Sequence, residues 1–312
     1  MENIAIKESR IKSKTTIDKI VKAFFMAIAI LSSSIIIFII GFILVKGIEP
    51  FFKDYPVGDE MLNISFSEFL FGLKWGFSPN HFGAGFIVIN TIYITLLALV
   101  IALPLSIFSS LFIARIAPKR LGNILLLIIE LLASIPSIVY GLFGQAYLTK
   151  GVIKFASMFG IQTLGGQTIL TTALVLAIMI FPTITMVSTN AIRAVKNDII
   201  WGSIALGASK TETNFKVVLK ASKNGIFAGV ILGIGRALGE ATAVSKVCGN
   251  ATVGPSFSLF DTTSTLTTTI LSGFSEASGM AYDIKFSLGL VLIIIIIITN
   301  LILNKFKRKA EN

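Results

Sequence analysis

The sequence predicts an all-α polytopic membrane protein of six transmembrane helices with both termini in the cytoplasm. Composition, uncharged apolar runs and the placement of cations carry that expectation. Of 312 residues, 54% are hydrophobic and 14% are charged, with a mean hydropathy of +0.87. A soluble domain holds roughly 45–50% apolar and about 25% charged residues, so these values disfavour a water-soluble enzyme. They also exclude a disordered chain, which is poor in apolar residues. The net charge of +11 would suggest nucleic acid on a soluble chain. On an apolar one, excess cations sit in cytoplasmic loops against anionic lipid headgroups, so membrane lipid, and no nucleic acid, is the expected contact.

A spanning helix needs about 20 mostly apolar residues. Four runs meet this without a charge: Ala23–Val45, Phe86–Ile113, Thr168–Ile192 and Phe286–Leu303. Two more contain ionisable residues: Leu121–Leu148 with Glu130, and Ile226–Val247 with Arg236, Glu240 and Lys246. The first run is too long for a secretory signal and lacks a small-residue cleavage site, so it reads as a retained anchor. Nineteen of the 27 Lys and Arg residues fall in the N-terminal segment, the loops after spans two and four, and the tail. The positive-inside rule then places those segments in the cytoplasm. The expected parts are a basic N-terminus (1–22), a first span (23–45), an external loop (46–85), a five-helix core (86–304) containing a cytoplasmic loop (193–224), and a cytoplasmic tail (305–312). The external stretch Ala251–Asp283, rich in Ser, Thr and Gly, is either a solvated connection or a segment that dips back as an outer gate.

The loop after span four is patterned. Asn197 and Asp198 are placed to cap a short helix carrying Ile199, Ile200 and Ile204 and ending near Gly207. Ser209 followed by Glu212 makes a capping box, in which each side chain satisfies the other residue's free backbone N–H. Phe215, Val218 and Leu219 follow at helical spacing, and Gly225 is placed to end that helix. The result is either a cytoplasmic knob or a helix pair lying flat on the inner leaflet.

Trp201-Gly-Ser-Ile-Ala-Leu-Gly207-Ala208-Ser209, with Val217 and Leu219 beyond it, resembles the EAA loop of ABC-importer permeases. Trp201 stands where that pattern has Glu, and Lys220 where it has Pro. The stretches Glu130 to Gly144 (ELLASIPSIVYGLFG) and Gly235 to Val244 (GRALGEATAV) resemble phosphate-specific (Pst) permeases. Phe82-Gly-Ala-Gly, Val247-Cys-Gly-Asn250 and Glu276-Ala-Ser-Gly resemble the PstC-type subunit. The resemblance covers residues 70–304 and implies a type I ABC importer permease fold in a prokaryotic cytoplasmic membrane. It implies import of inorganic phosphate and four kinds of partner contact: a second, PstA-like permease, a PstB-like ATPase dimer, a PstS-like extracytoplasmic binding protein, and membrane lipid. It also makes Trp201, Gly207, Ala208, Ser209 and Glu212 the ATPase contact. ATP and Mg²⁺ would then be used by the ATPase, with no cofactor, metal or catalytic residue in this chain.

Charges inside spans are costly, about 2.5–3.5 kcal/mol for Arg or Asp at a helix centre. Arg236 and Glu240 stand at i and i+4, on one face of a continuous helix. They are either a structural ion pair or a pathway pair, with Arg236 meeting an anion through its planar fork. Arg236 reads as the only cation well inside a run. Glu130 reads as structural, while Pro104, Pro136 and Pro182 each interrupt a span as kinks or hinges. Gly229, Gly233, Gly235 and Gly239 suit close helix approach at a subunit interface. Gly207-Ala-Ser-Lys-Thr211 lacks the glycine that a phosphate loop needs before its lysine. One His (His81) and one Cys (Cys248) build neither a nucleophile–base pair nor a metal cage. The alternatives left open are a permease for phosphonate, molybdate or another small solute, and a stand-alone channel or secondary transporter.

Overall fold

The computed structural model describes residues 2–57, 60–76 and 81–311. Helix α1 (Glu2–Ile48) is one run of 47 residues. The basic segment before the first apolar stretch continues that helix, since residues 2–22 hold no Gly or Pro to stop it. A 3₁₀ turn at Glu49–Phe51 leads to strands β1 (Tyr55–Val57) and β2 (Glu60–Leu62), paired antiparallel with Tyr55 opposite Leu62, and then to α2 (Phe66–Phe71). This insertion caps one end of the bundle. Tyr55, Phe69 and Phe82 bury themselves against Phe86 and Ile87 on one side and Ile284 and Leu288 on the other. Tyr55 Oη donates to Asp283 Oδ2 at 2.8 Å, and burial together with that carboxylate raises the phenol above its ordinary pKa.

The bundle continues with α3 (Gly85–Leu111), α4 (Lys119–Ser134), α5 (Ser137–Phe143), α6 (Thr149–Ser157) and α7 (Ile169–Arg193). At the opposite end lie α8 (Asn197–Ala205), α9 (Lys210–Glu212) and α10 (Leu219–Ala221). Then come α11 (Lys223–Leu238), α12 (Leu266–Leu271) and α13 (Met280–Glu311). Helix α7 is the hub, packed against α3 and α11, while α1 lies along α13. Two of the four glycines make a close helix approach, both to α7: a Cβ at Gly233 would stand 2.7 Å from the Ile184 side chain, and one at Gly229 3.3 Å from the Ile184 carbonyl, whereas one at Gly235 has nothing within 4 Å and Gly239 lies past the end of α11.

Among the described residues, four helices are long and apolar enough to cross a membrane: Asp18–Phe51, Gly85–Ile116, Ile169–Arg193 and Met280–Lys305. Two bent pairs meet the same test jointly, Lys119–Ser134 with Ser137–Ser157 (91°) and Lys210–Ala221 with Lys223–Leu238 (65°). The chain is therefore a multi-pass membrane protein.

Several local expectations are corrected. Only Pro136 breaks a helix; Pro104 and Pro182 sit within unbroken α3 and α7. At the break Ile135 is extended (ψ 129°), as a residue before proline must be. The Leu132 carbonyl, which has no N–H to meet at Pro136, accepts Tyr140 Oη at 2.6 Å and the Ile135 N–H at 3.2 Å. The fifth apolar run stops being helical at Leu238, so Glu240 and Lys246 lie beyond its end. Gly225 does not end a helix: the turn comes at Ser222, and Gly225 lies inside α11 where it touches Ala191. Lys196, not Asn197, takes the N-cap position of α8, without a side-chain bond.

Candidate functional site

Arg236 falls in the last turn of α11, where free backbone carbonyls and the negative end of the helix dipole favour a cation. Because the helix stops at Leu238, the i, i+4 face that would pair Arg236 with Glu240 does not exist. No ion pair joins them among the described residues; Arg236 Nη1 donates instead to Thr183 Oγ1 on α7, at 2.8 Å. That uses one of its five N–H donors. The side chain is half-buried, and Tyr140 lies within electrostatic range of it.

Glu240 turns away into its own network. Its Oε1 accepts from the Ala243 N–H and from Thr242 Oγ1, each at 2.9 Å. Thr242 Oγ1 stands 2.7 Å from Ser137 Oγ, the first residue of α5 after the Pro136 break. With the Thr242 proton directed to the carboxylate, Ser137 is the donor in that contact. Gly141 allows this approach, since a Cβ there would stand 2.8 Å from the Ala243 Cα. The Glu240 carbonyl accepts Thr267 Oγ1 of α12 at 2.8 Å. A polar cluster thus forms where the α4–α5 break, the end of α11 and the buried helix α12 meet, with Thr183 of α7 beside it.

Of the residues singled out from sequence, Arg236, Glu240 and Pro136 come together here, and Pro182 adjoins Thr183. Pro104 and Glu130 do not; both are exposed, and Glu130 makes no hydrogen bond or ion pair among the described residues. Sequence reasoning missed Thr183, Ser137, Thr242 and Thr267. A threonine inside an apolar run carries no signal of its own, although Ser137 and Thr242 lie within the two stretches that resembled Pst permeases.

The second site is the knob at the far end. Helix α8 closes with a Schellman pattern: the Gly207 N–H bonds the Ile204 carbonyl (2.9 Å) and the Ala208 N–H that of Ser203 (3.2 Å). Gly207 sits at φ +89°, a left-handed conformation suited to glycine at this position. The capping box is formed, with Glu212 N on Ser209 Oγ and Ser209 N on Glu212 Oε2, both at 3.2 Å. A Ser203–Thr213 hydroxyl contact of 3.0 Å ties the two helices together. Leu206 is 91% and Trp201 66% exposed, so the apex presents apolar side chains outward.

The comparisons with known proteins agree with this architecture. Residues 102–310 match the family described as binding-protein-dependent transport system inner membrane component. The chain belongs to that family. It is 35% identical over 272 residues to the probable ABC transporter permease protein YqgH of Bacillus subtilis, covering 86% of this chain and 83% of that one. It is also 35% identical over 250 residues to the phosphate transport system permease protein PstC of Pasteurella multocida, covering 74% and 78%. A crystal structure of a bacterial ABC transporter involved in alginate import superposes with TM-score 0.57 at 17% identity, covering 93% of this chain and 98% of that one. The fold is accordingly that of an ABC importer permease, and these relatives are permeases rather than catalytic chains.

Proposed function

We propose that this binding-protein-dependent permease is the PstC-type subunit of an ATP-driven importer of inorganic phosphate. Arg236 carries the reading. It is a guanidinium in the last turn of a spanning helix, bonded once to Thr183 and otherwise free to hold an oxyanion. An anion in a low-dielectric passage needs fixed charge or dipoles in place of water, and Arg offers two parallel donors to it. The relatives named PstC support the choice of phosphate.

In this proposal each bent pair is one span, giving six, with both termini in the cytoplasm of a prokaryotic cell. A second permease completes the pathway, and an extracytoplasmic protein delivers phosphate at the insertion end. An ATPase dimer, using ATP and Mg²⁺, grips the knob through Trp201, Leu206, Gly207, Ala208, Ser209 and Glu212. A Cys at Ser256 should react with impermeant reagents from outside only; labelling solely from the cytoplasm would reverse the topology.

Phosphate uptake with equal subunit levels tests the substrate and the site together. Hydrogen bonds to charged groups contribute about 1.5–3 kcal/mol each, so Arg236→Gln should lower uptake by about 10- to 100-fold or more. Arg236→Lys should recover part, since a point charge loses the bidentate fork. Glu240→Gln should do less than Arg236→Gln, because Glu240 acts through Thr242 and Ala243. Unaltered uptake in Arg236→Gln would return the residue to a structural role. Uptake of molybdate or a phosphonate in place of phosphate would change the substrate.

A further inference from the structure

Lys285 is 7% exposed and lies within the membrane-spanning stretch Met280–Lys305. The apolar run read from sequence begins one residue later, at Phe286, so this cation escaped the count that singled out Arg236. A buried lysine is nearly always paired, yet among the described residues no carboxylate pairs with Lys285. Asp283 bonds Tyr55 Oη at 2.8 Å and lies 3.7 Å from Lys53 Nζ; residues at i and i+2 do not share a helix face. The Lys285 ammonium donates to the Ser272 carbonyl and, at 3.5 Å, to that of Ile270, with the Phe274 ring centroid 6.0 Å away. Those carbonyls end α12, so the cation sits on the negative end of a short helix.

The other end of α12 is held as firmly. Its Leu266 N–H bonds Thr91 Oγ1 at 3.0 Å, and Thr267 Oγ1 bonds the Glu240 carbonyl. Helix α12 is thus a buried bar of about 9 Å (1.5 Å per residue) between the Arg236 cluster and Lys285. Leu266 and Thr268 are fully buried, and Thr267 and Thr269 are 7% exposed. Within Ala251–Asp283, residues Thr263–Thr269 are buried against the rest of the chain, which favours the reading of a segment that dips back over that of a solvated connection. The connection after α12 is exposed, with Gly273 and Gly279 at positive φ and nothing within 4 Å of a Cβ at either. That connection leaves room for the bar to swing.

We propose that α12 is the outer gate of the pathway, that Lys285 latches it, and that an entering oxyanion opens the latch by replacing the Ile270 and Ser272 carbonyls on the ammonium. The proposal rests on the reading of the chain as an oxyanion permease. The backbone carbonyls carry only partial charge, so an anion competes well for Lys285, whereas a neutral solute does not. Lys285 then receives the anion first, and Arg236 receives it after the bar has moved.

The assembled transporter with its binding protein tests this in membranes, with Thr269→Cys introduced into a Cys248→Ser background and an impermeant maleimide added from the insertion side. Without phosphate, Lys285→Met should label about ten-fold faster than the Lys285 chain, the shift expected when a charge-assisted hydrogen bond is lost. Inorganic phosphate should speed labelling of the Lys285 chain and leave Lys285→Met unchanged. Lys285→Arg should retain the slow, phosphate-dependent labelling. Equal labelling of Lys285→Met and the Lys285 chain at every phosphate concentration would overturn the latch. If Lys285→Met does not assemble, Thr267→Val frees the opposite end of the bar, and unaltered labelling there overturns the gate. If phosphate supports no uptake in the unaltered chain, the substrate reading falls, while phosphate-free labelling of Lys285→Met still judges the latch.

Discussion

Helices α1 and α7 pass the same test of length and apolarity, and they are built for opposite surroundings. The apolar stretch of α1 has a mean hydropathy of 2.9 and none of it is buried within the chain; that of α7 has 2.2, with 67% buried. The less apolar helix is the better packed one. Lipid is as apolar as leucine, so burial between helices is driven by close packing and polar contact rather than by escape from water. Helix α7 carries fully buried Thr172, Thr185, Ser188 and Thr189 and a half-buried Thr183 that holds Arg236. The hydroxyl of Ser34 on α1 is exposed and folds back onto its own Ile30 carbonyl at 2.8 Å. Hydropathy marks what enters the membrane, and small polar residues mark which side faces protein.

The largest expected effect lies at the α7–α11 contact. A Cβ at Gly225 would collide with the Ala191 Cβ, and backbone Cα leaves it little room to yield. Gly225→Leu should therefore abolish folded transporter, not merely slow it, since overpacking costs about 1–3 kcal/mol or more in a tight site. The monodisperse yield after detergent extraction measures this; a normal yield would mean that α11 can slide along α7, and that the contrast with α1 is overstated.

The same contrast explains what sequence could and could not supply. Uncharged apolar runs located the four long spanning helices, and apolar runs holding a few ionisable residues located the two bent pairs, because a bilayer imposes length and apolarity whatever the packing. The Ser209–Glu212 capping box and the Gly207 turn were legible too, since both are local backbone chemistry. The end of α11 at Leu238 was not, because Gly239, Ala241, Ala243 and Val244 continue the apolar character after the helix has stopped. The supposed Arg236–Glu240 face disappeared with that error. Pro136 announced a break but not its 91° angle, and the close approach of Gly141 to Ala243 beyond it is a long-range contact without a sequence signature. Thr183 and Lys285 acquire meaning only from neighbours far along the chain.

A smaller effect, on activity alone, is expected at the knob, which is exposed like α1 and, in the proposed function, contacts the motor. Gly207 holds φ +89° with nothing within 4 Å of a Cβ, so a side chain there would meet backbone strain but no clash. Left-handed backbone costs an ordinary residue about 1–2 kcal/mol, roughly a ten-fold shift in the population of the tight turn. Gly207→Asp should keep normal yield and ATPase hydrolysis while phosphate uptake falls about ten-fold. Full coupling of hydrolysis to uptake in that variant would remove the knob from the motor contact.

The smallest effect belongs to Gly41, and it decides whether α1 meets only lipid. Nothing lies within 4 Å of a Cβ built there, whereas a Cβ at Gly47, six residues on, would stand 2.8 Å from the Phe286 carbonyl of α13. Among the described residues, helix α1 is therefore gripped at the insertion end, where Ser287 Oγ also donates to the Gly47 carbonyl at 2.7 Å. A mid-helix glycine is worse than alanine by about 0.5–1 kcal/mol, so Gly41→Leu should leave yield and uptake unchanged or slightly raised, while Gly47→Leu lowers both. The two variants assayed side by side in the assembled transporter separate the surroundings of α1. Loss of yield in Gly41→Leu would mean that this face of α1 docks against a partner subunit, and its exposure within the single chain would then mark an interface rather than lipid.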